Sequence, residues 1–271
     1  MIRNMAIGLV SAVALISAAN AADMYRPEGG GYKDGPVYVA NTWTGFYIGA
    51  NGGYGWNADT KDILYTYTGG ATNRGKGFEP EGGFGGGQIG YNWQGGVFGP
   101  RSVMGIEADI QGADISDSFN QLPAPGATCC GNPNDIFHGT SKLDWFGTVR
   151  GRLGYAFDRT LIYATGGFAF GNIDQRITAV NPALVGPNVF TDVRKNDTRT
   201  GFVVGGGVEY AVSPAWSIKG EYQYLDFGSD SLTGTNPLFG TPVHTNEIDN
   251  TFHTVRLGLN YHIHQGYEPL K

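Results

Sequence analysis

Eight charged side chains are embedded in otherwise apolar, alternating stretches: Glu107, Asp109, Arg150, Arg152, Glu209, Lys219, Glu221 and Arg256. Four are acidic and four are basic, and each has an Ile, Val, Leu or Tyr as a close neighbour in the chain. Carboxylates and cations in equal number can neutralise one another wherever water is scarce. There, an unpaired ion would be very costly. The chemistry this set suggests is ion pairing. Two arrangements fit it: a specifically paired network that fills an enclosed space, or charges that face a wet interior without fixed partners.

Other reactive residues fall into no catalytic pattern. Gly85-Gly86-Gly87-Gln88-Ile89-Gly90 has the G-x-G-x-x-G spacing. A dinucleotide site requires that spacing between a strand and a helix, whereas here it lies inside a strand pattern with no helix following. Those glycines fit the close packing and bending of a small barrel better. The five histidines, His138, His244, His253, His262 and His264, make no H-E-x-x-H, and there is no G-x-S-x-G elbow. His253 with Asp249 or Asp230 is the one grouping that a hydrolase could use, and no nucleophile–base pair can be placed beside it. Cys129 and Cys130 are adjacent. Their Cα atoms, about 3.8 Å apart, are too close for an unstrained bridge. No metal, cofactor or catalytic residue is expected.

Eight stretches place these residues, and all alternate with a period of two, the mark of a half-buried strand. In 251–263 the odd positions include Val255, Leu257, Leu259, Tyr261 and Ile263, and the even ones Thr254, Arg256, Gly258, Asn260 and His262. In 143–157, Leu143, Trp145, Val149, Leu153, Tyr155 and Phe157 alternate with Asp144, Thr148, Arg150 and Arg152. Stretches 103–111, 202–210 and 216–224 repeat the pattern, 43–56 and 83–94 do so less cleanly, and 160–171 leaves its inward face open. Short connections near 94–101, 158–159 and 213–214 alternate with long ones near 57–82, 112–141, 172–198 and 228–250. Transmembrane barrels show this asymmetry, with short periplasmic turns and longer external loops.

Bulk composition supports the same class. Aromatic residues make up 13% and charged residues 15% of the 271 residues, too apolar for a disordered chain. A formal charge of -6 gives no basic footprint for nucleic acid. Arg3, the apolar run Met5 to Ala18 and the small residues Ala19-Asn20-Ala21 read as a secretory signal. Cleavage is expected after Ala21, with Ala22 as the alternative. No later stretch approaches the apolar length of a spanning helix. A soluble eight-stranded barrel would hide its greasy face and show its charges; a membrane barrel inverts this. Here the charges share their side with glycine, serine and glutamine. Trp145, Trp216, Tyr155, Tyr222, Tyr224 and Tyr261 lie opposite, as an aromatic girdle would.

The expected fold is therefore an all-β, eight-stranded, antiparallel, up-and-down transmembrane barrel. Its segments are a signal peptide (1–21), a periplasmic lead-in (22–42), the barrel (43–264) and a C-terminal tail (265–271).

Trp43-Thr44-Gly45-Phe46-Tyr47-Ile48-Gly49, Tyr163-Ala164-Thr165-Gly166-Gly167 and Val255-Arg256-Leu257-Gly258-Leu259-Asn260-Tyr261 resemble the small outer-membrane barrel family of alphaproteobacteria. That family is related in architecture to the OmpA and OmpX transmembrane domains. The last strand is also similar to the signal read by the barrel-assembly machinery, which would fall on Arg256, Gly258, Tyr261 and Ile263. Family members usually stop at a terminal Phe, whereas here Ile263 is followed by His264 to Lys271. The resemblance implies a surface-exposed, porin-like envelope protein. Its expected role is non-enzymatic: supporting the envelope and offering loops for adhesion or for an extracellular ligand or host surface. The alternative is a narrow channel for small solutes or ions. Expected partners are outer-membrane lipid, lipopolysaccharide and the assembly machinery.

Overall fold

The computed structural model describes residues 43–67, 72–95, 98–121, 136–180, 189–235 and 242–263. Twelve strands follow in order: β1 (Gly45–Asn57), β2 (Ile63–Tyr67), β3 (Thr72–Gly75), β4 (Glu81–Gln94), β5 (Ser102–Gln121) and β6 (Ile136–Phe157), then β7 (Thr160–Val180), β8 (Val189–Ala211), β9 (Trp216–Asp230), β10 (Thr233–Thr235), β11 (Pro242–Thr245) and β12 (Ile248–His262). The eight long strands form one antiparallel ring, β1-β4-β5-β6-β7-β8-β9-β12, and β12 pairs back onto β1 from Tyr47↔His262 to Asn57↔Phe252. All eight correspond to the eight stretches read from the sequence. The residues expected at the signal cleavage site, Ala19 and Ala21, and the Cys129–Cys130 pair lie outside the described residues.

Alternation sorts the side chains of this ring. Phe46, Ile48, Ile89, Trp93, Ile106, Ile110, Val149, Leu153, Phe168, Phe202, Trp216, Ile218, Leu257 and Tyr261 face outward and are exposed, Phe168 by 76% and Leu257 by 68%. A continuous apolar belt therefore surrounds the ring. On β7 the period resolves the open face: Leu161 and Tyr163 are buried inside, while Ile162 faces out.

The long connections are not plain loops. β5, β6, β7 and β8 run 20 to 23 residues, about twice the 9–11 a membrane needs. Within the expected loops 57–82 and 228–250 lie β2 with β3 and β10 with β11. Beyond its pairing with β9, β8 meets β10 at Asp192↔Thr235, and the sheet continues through β11 and β2 to β3. In this outer extension the faces exchange character. Ile63, Phe78, Phe119, Phe137, Ile177, Ala179, Val193, Leu232, Val243 and Ile248 pack together inside. Outside stand Asp174, Arg176, Asp192 and Arg194, joined by two paired forks: Arg176 to Asp192 (3.0 and 2.9 Å) and Arg194 to Asp174 (3.1 and 2.7 Å). The extension is built like a soluble protein, apolar within and charged without.

One local assignment reverses. The alternation predicts Leu143 facing outward and Asp144 inward. Leu143 is instead buried inside, and Asp144 faces out to Lys142 at 2.9 Å. The cause is an irregularity on β6: Leu143 pairs with Ile173 but Trp145 with Asn172, so Asp144 is an extra residue against β7, while on the β5 side it is faced by both Ala113 and Asp114. One inserted residue moves every side chain beyond it to the other face. Above the bulge the inward positions are odd; below it Phe146, Thr148, Arg150 and Arg152 are even.

The outer forks allow a modest test. The hydrogen bonds from Arg176 hold the Asp192 carboxyl below its ordinary value. A depressed carboxylate contributes stability above its unfolded pKa, and that contribution is lost as pH falls through the folded one. Both side chains are nearly half exposed, so solvent screening keeps the contribution below about 1 kcal/mol. In Arg176→Ala, NMR titration should find the Asp192 carboxyl moved up toward an ordinary aspartate. An unmoved titration would mean that the fork is open in solution.

Candidate functional site

The eight charges named above all point into the ring, and their side chains are 0 to 3% exposed. Their placement follows from register. Glu107 lies directly across from Arg150 on β5 and β6, and Arg256 across from Glu221 on β12 and β9. Arg150 donates to Glu221 at 2.6 Å, to Asp109 at 2.7 Å and to Glu107. Arg256 donates to Glu221 at 3.0 Å and to Asp109 and Glu107 at 3.1 Å each. Lys219 reaches both oxygens of Glu107 at 2.8 and 2.7 Å. Six of the eight thus form one cluster drawn from β5, β6, β9 and β12.

Arg152 and Glu209 make a second centre just below, bonded at 2.7 Å. Arg152 also donates to the Tyr47 hydroxyl at 2.9 Å and lies over the Tyr163 ring, 4.0 Å from its centroid. The two tyrosines tie the centres together, Tyr47 donating to Glu107 at 2.7 Å and Tyr163 to Glu221 at 2.6 Å. Sequence reasoning missed both. Tyr47 was legible in principle, because it alternates with the outward Phe46 and Ile48, while Tyr163 sits on the strand whose face the sequence left open.

Neutral groups complete the site. Thr148 and Gln111 donate to Asp109 at 2.8 and 2.9 Å. Glu209 accepts from Ser217 at 2.5 Å and from Asn260 at 2.7 Å. From there a polar chain crosses the junction of first and last strands: Gln88 donates to Asn260 at 2.5 Å, and Asn51 to Gln88 at 2.9 Å. Gly90, the last glycine of the G-x-G-x-x-G run, leaves the space Tyr47 occupies. A Cβ there would stand 2.3 Å from the Tyr47 oxygen. The motif is therefore a packing feature of β4.

Apolar layers cover the charges on both sides. Toward the short turns lie Trp43, Val103, Ala156, Leu161, Tyr163 and Ala211. Toward the outside lie Phe84, Ile115, Leu143, Phe146, Ala169, Ile173, Val203, Leu225, Phe227 and Phe252, below the apolar core of the extension. The charges are thus buried between two apolar layers.

The other candidates read from the sequence do not assemble into such a centre. His253 is on the outer wall, its Nδ1 2.6 Å from the Tyr222 hydroxyl. Asp249 lines the same surface dent as His253 but is paired with Lys61, while Asp230 is held by Lys195 at 2.5 Å and by Arg199. In the strand-end signal motif, Arg256 and Gly258 face inward, while Tyr261 and Ile263 face out.

An outer-membrane-protein β-barrel domain model matches residues 9–262. The chain belongs to the outer-membrane β-barrel family. Its apolar belt is thus the membrane-spanning zone, and the protein resides in the bacterial outer membrane. This barrel is 34% identical over 255 residues to a 31 kDa outer-membrane immunogenic protein of Brucella melitensis, covering 90% of this chain and 93% of that one. It is 32% identical over 203 residues to a 22 kDa outer membrane protein of Rhizobium leguminosarum, covering 73% and 70%. Among solved structures, OprG of Pseudomonas aeruginosa aligns at 12% identity with a TM-score of 0.42, over 81% of this chain and 97% of that one.

Proposed function

We propose that this barrel is a closed, non-enzymatic protein that supports the integrity of the outer membrane, and that its outer extension is the surface offered for adhesion or for an extracellular ligand. The observation that carries this reading is the filled lumen: a paired charge layer between two apolar layers, with a third apolar core above. Eight strands enclose an interior just wide enough for side chains to fill. The extension's own core supports the second half of the proposal, because recognition favours loops held on a rigid scaffold. The Brucella relative's description as immunogenic fits such exposure.

Catalysis finds little support. Ser217 lies 2.9 Å from His262 and bonds Glu209, but it is fully buried, with no room for a substrate. The partners that fit this proposal are lipid and lipopolysaccharide against the belt. The assembly machinery would read Arg256, Gly258, Tyr261 and Ile263.

Planar-bilayer recording tests the proposal against a narrow channel. The wild type should be electrically silent, and so should Arg150→Ala, because the apolar layers above and below the charges remain. Steady wild-type currents would overturn the closed-barrel reading and make the eight charges a selectivity filter.

A further inference from the structure

At the aromatic girdle, the outer wall carries a dent of about 510 Å³ between the ends of β9, β12 and the segment after β1. A bulge on β9 shapes it. Thr251 pairs with Asp226 but Asp249 with Ser229, and Gly228 takes a φ of 76° that suits glycine. The aromatic part of its lining is His253 and Tyr224, 5.5 Å apart centroid to centroid, and His253 is backed by Tyr222 at 5.8 Å and Trp56 at 5.7 Å.

The upper rim is acidic, with Asp59, Asp226 and Asp249. Asp226 commits one oxygen to the Gly228 N–H, and Lys61 bridges Asp59 and Asp249. Three carboxylates against one ammonium leave the rim net negative. Thr251 also lines the dent. It is only 7% exposed, yet its Oγ1 closes no hydrogen bond of good geometry, although the Tyr224 hydroxyl lies near. A buried hydroxyl in that state favours an incoming polar partner.

We infer that this dent binds a neutral sugar unit of an outer-leaflet glycolipid headgroup. The volume is within the range of small-ligand sites, which pair an apolar floor with a few placed polar groups. Sugar C–H faces pack on aromatic rings, while hydroxyls donate to carboxylates, so this floor and rim match the two sides of a pyranose. The negative rim repels phosphorylated sugars. Height selects the source: Tyr224 in the dent's lining and Tyr222 behind it belong to the aromatic girdle, and such girdles mark the membrane interface, so a glycolipid reaches the dent by lateral diffusion.

The test titrates the purified full-length protein in detergent with dephosphorylated core oligosaccharide from a rough-type lipopolysaccharide, and separately with the intact lipopolysaccharide. Calorimetry or saturation-transfer NMR gives the affinity. Both probes should bind saturably. Tyr224→Ala should weaken each about tenfold, and the shape-conserving Thr251→Val about three- to tenfold, with unchanged heat-modifiable mobility on gels. Three results would overturn the assignment: no oligosaccharide binding at millimolar concentration, wild-type affinity in both variants, or tighter binding when the same core oligosaccharide is titrated with its phosphates retained. Oligosaccharide binding without lipopolysaccharide binding would also exclude the glycolipid as occupant.

Discussion

Glu107→Ala is expected to lower the unfolding free energy by about 3–5 kcal/mol, the usual cost of stripping one partner from a buried ionic cluster. Glu107 alone accepts from Arg150, Lys219, Arg256 and Tyr47. Its removal leaves three cations short of a partner in a compartment with apolar layers on both sides, where water cannot readily take its place. Urea titration of the refolded protein in detergent, followed by gel mobility, measures the loss. Glu107→Ala,Lys219→Met should recover part of it, because removing opposite charges together restores balance. An unchanged midpoint in Glu107→Ala would mean that water enters the lumen and that the charges are independently solvated.

Deleting Asp144 should have an effect of similar size on a different part of the molecule. Without the extra residue, β6 above Trp145 rotates by one position, turning Leu143 and Phe137 outward and Lys142 inward. Both apolar side chains are now buried. Exposing them costs about 3–6 kcal/mol at about 1.5–3 kcal/mol each, before Lys142 is counted. The membrane belt below the bulge keeps its register. Limited proteolysis should therefore cut the outer extension rapidly while a protected belt fragment persists. Wild-type protection of the extension would show that β6 compensates elsewhere, and would remove the bulge from its role in setting the two faces.

The belt is legible in the sequence because its outward positions are greasy on strand after strand, while the charged and glycine-rich positions fall on the inward side. That pattern alone places Glu107, Arg150, Lys219 and Arg256 on one face. It stops at the membrane surface. On β5, Ile106 and Ile110 face out, but so does Asp114, while Ile115 and Phe119 turn in. On β7, Phe168 faces out, and so does Arg176. The alternation continues, but its sense is reversed by the change of solvent, so β5 to β8 beyond the belt look like polar loops. The β6 bulge is illegible for another reason, since a single inserted residue leaves no composition signal. Within the site, the charges are identifiable by parity. Their partners are not, because contacts such as Arg150 with Glu221 join strands that are not neighbours.

The polar chain from Asn51 through Gln88 and Asn260 to Glu209 bears on how the ring is completed. β1 and β12 are neighbours in space but are separated by almost all the intervening chain, so their meeting is the costliest loop closure in the molecule, about 4–5 kcal/mol for a loop on the order of 200 residues. Until they meet, the sheet has two open edges, each a template for pairing with another copy. Side chains that bond only when both edges are in register act as a latch, rewarding the correct closure and giving little to a slipped one. The lumen thus encodes its own circumference, and errors in it would appear first as misjoined or aggregated chains rather than as a weakened finished barrel.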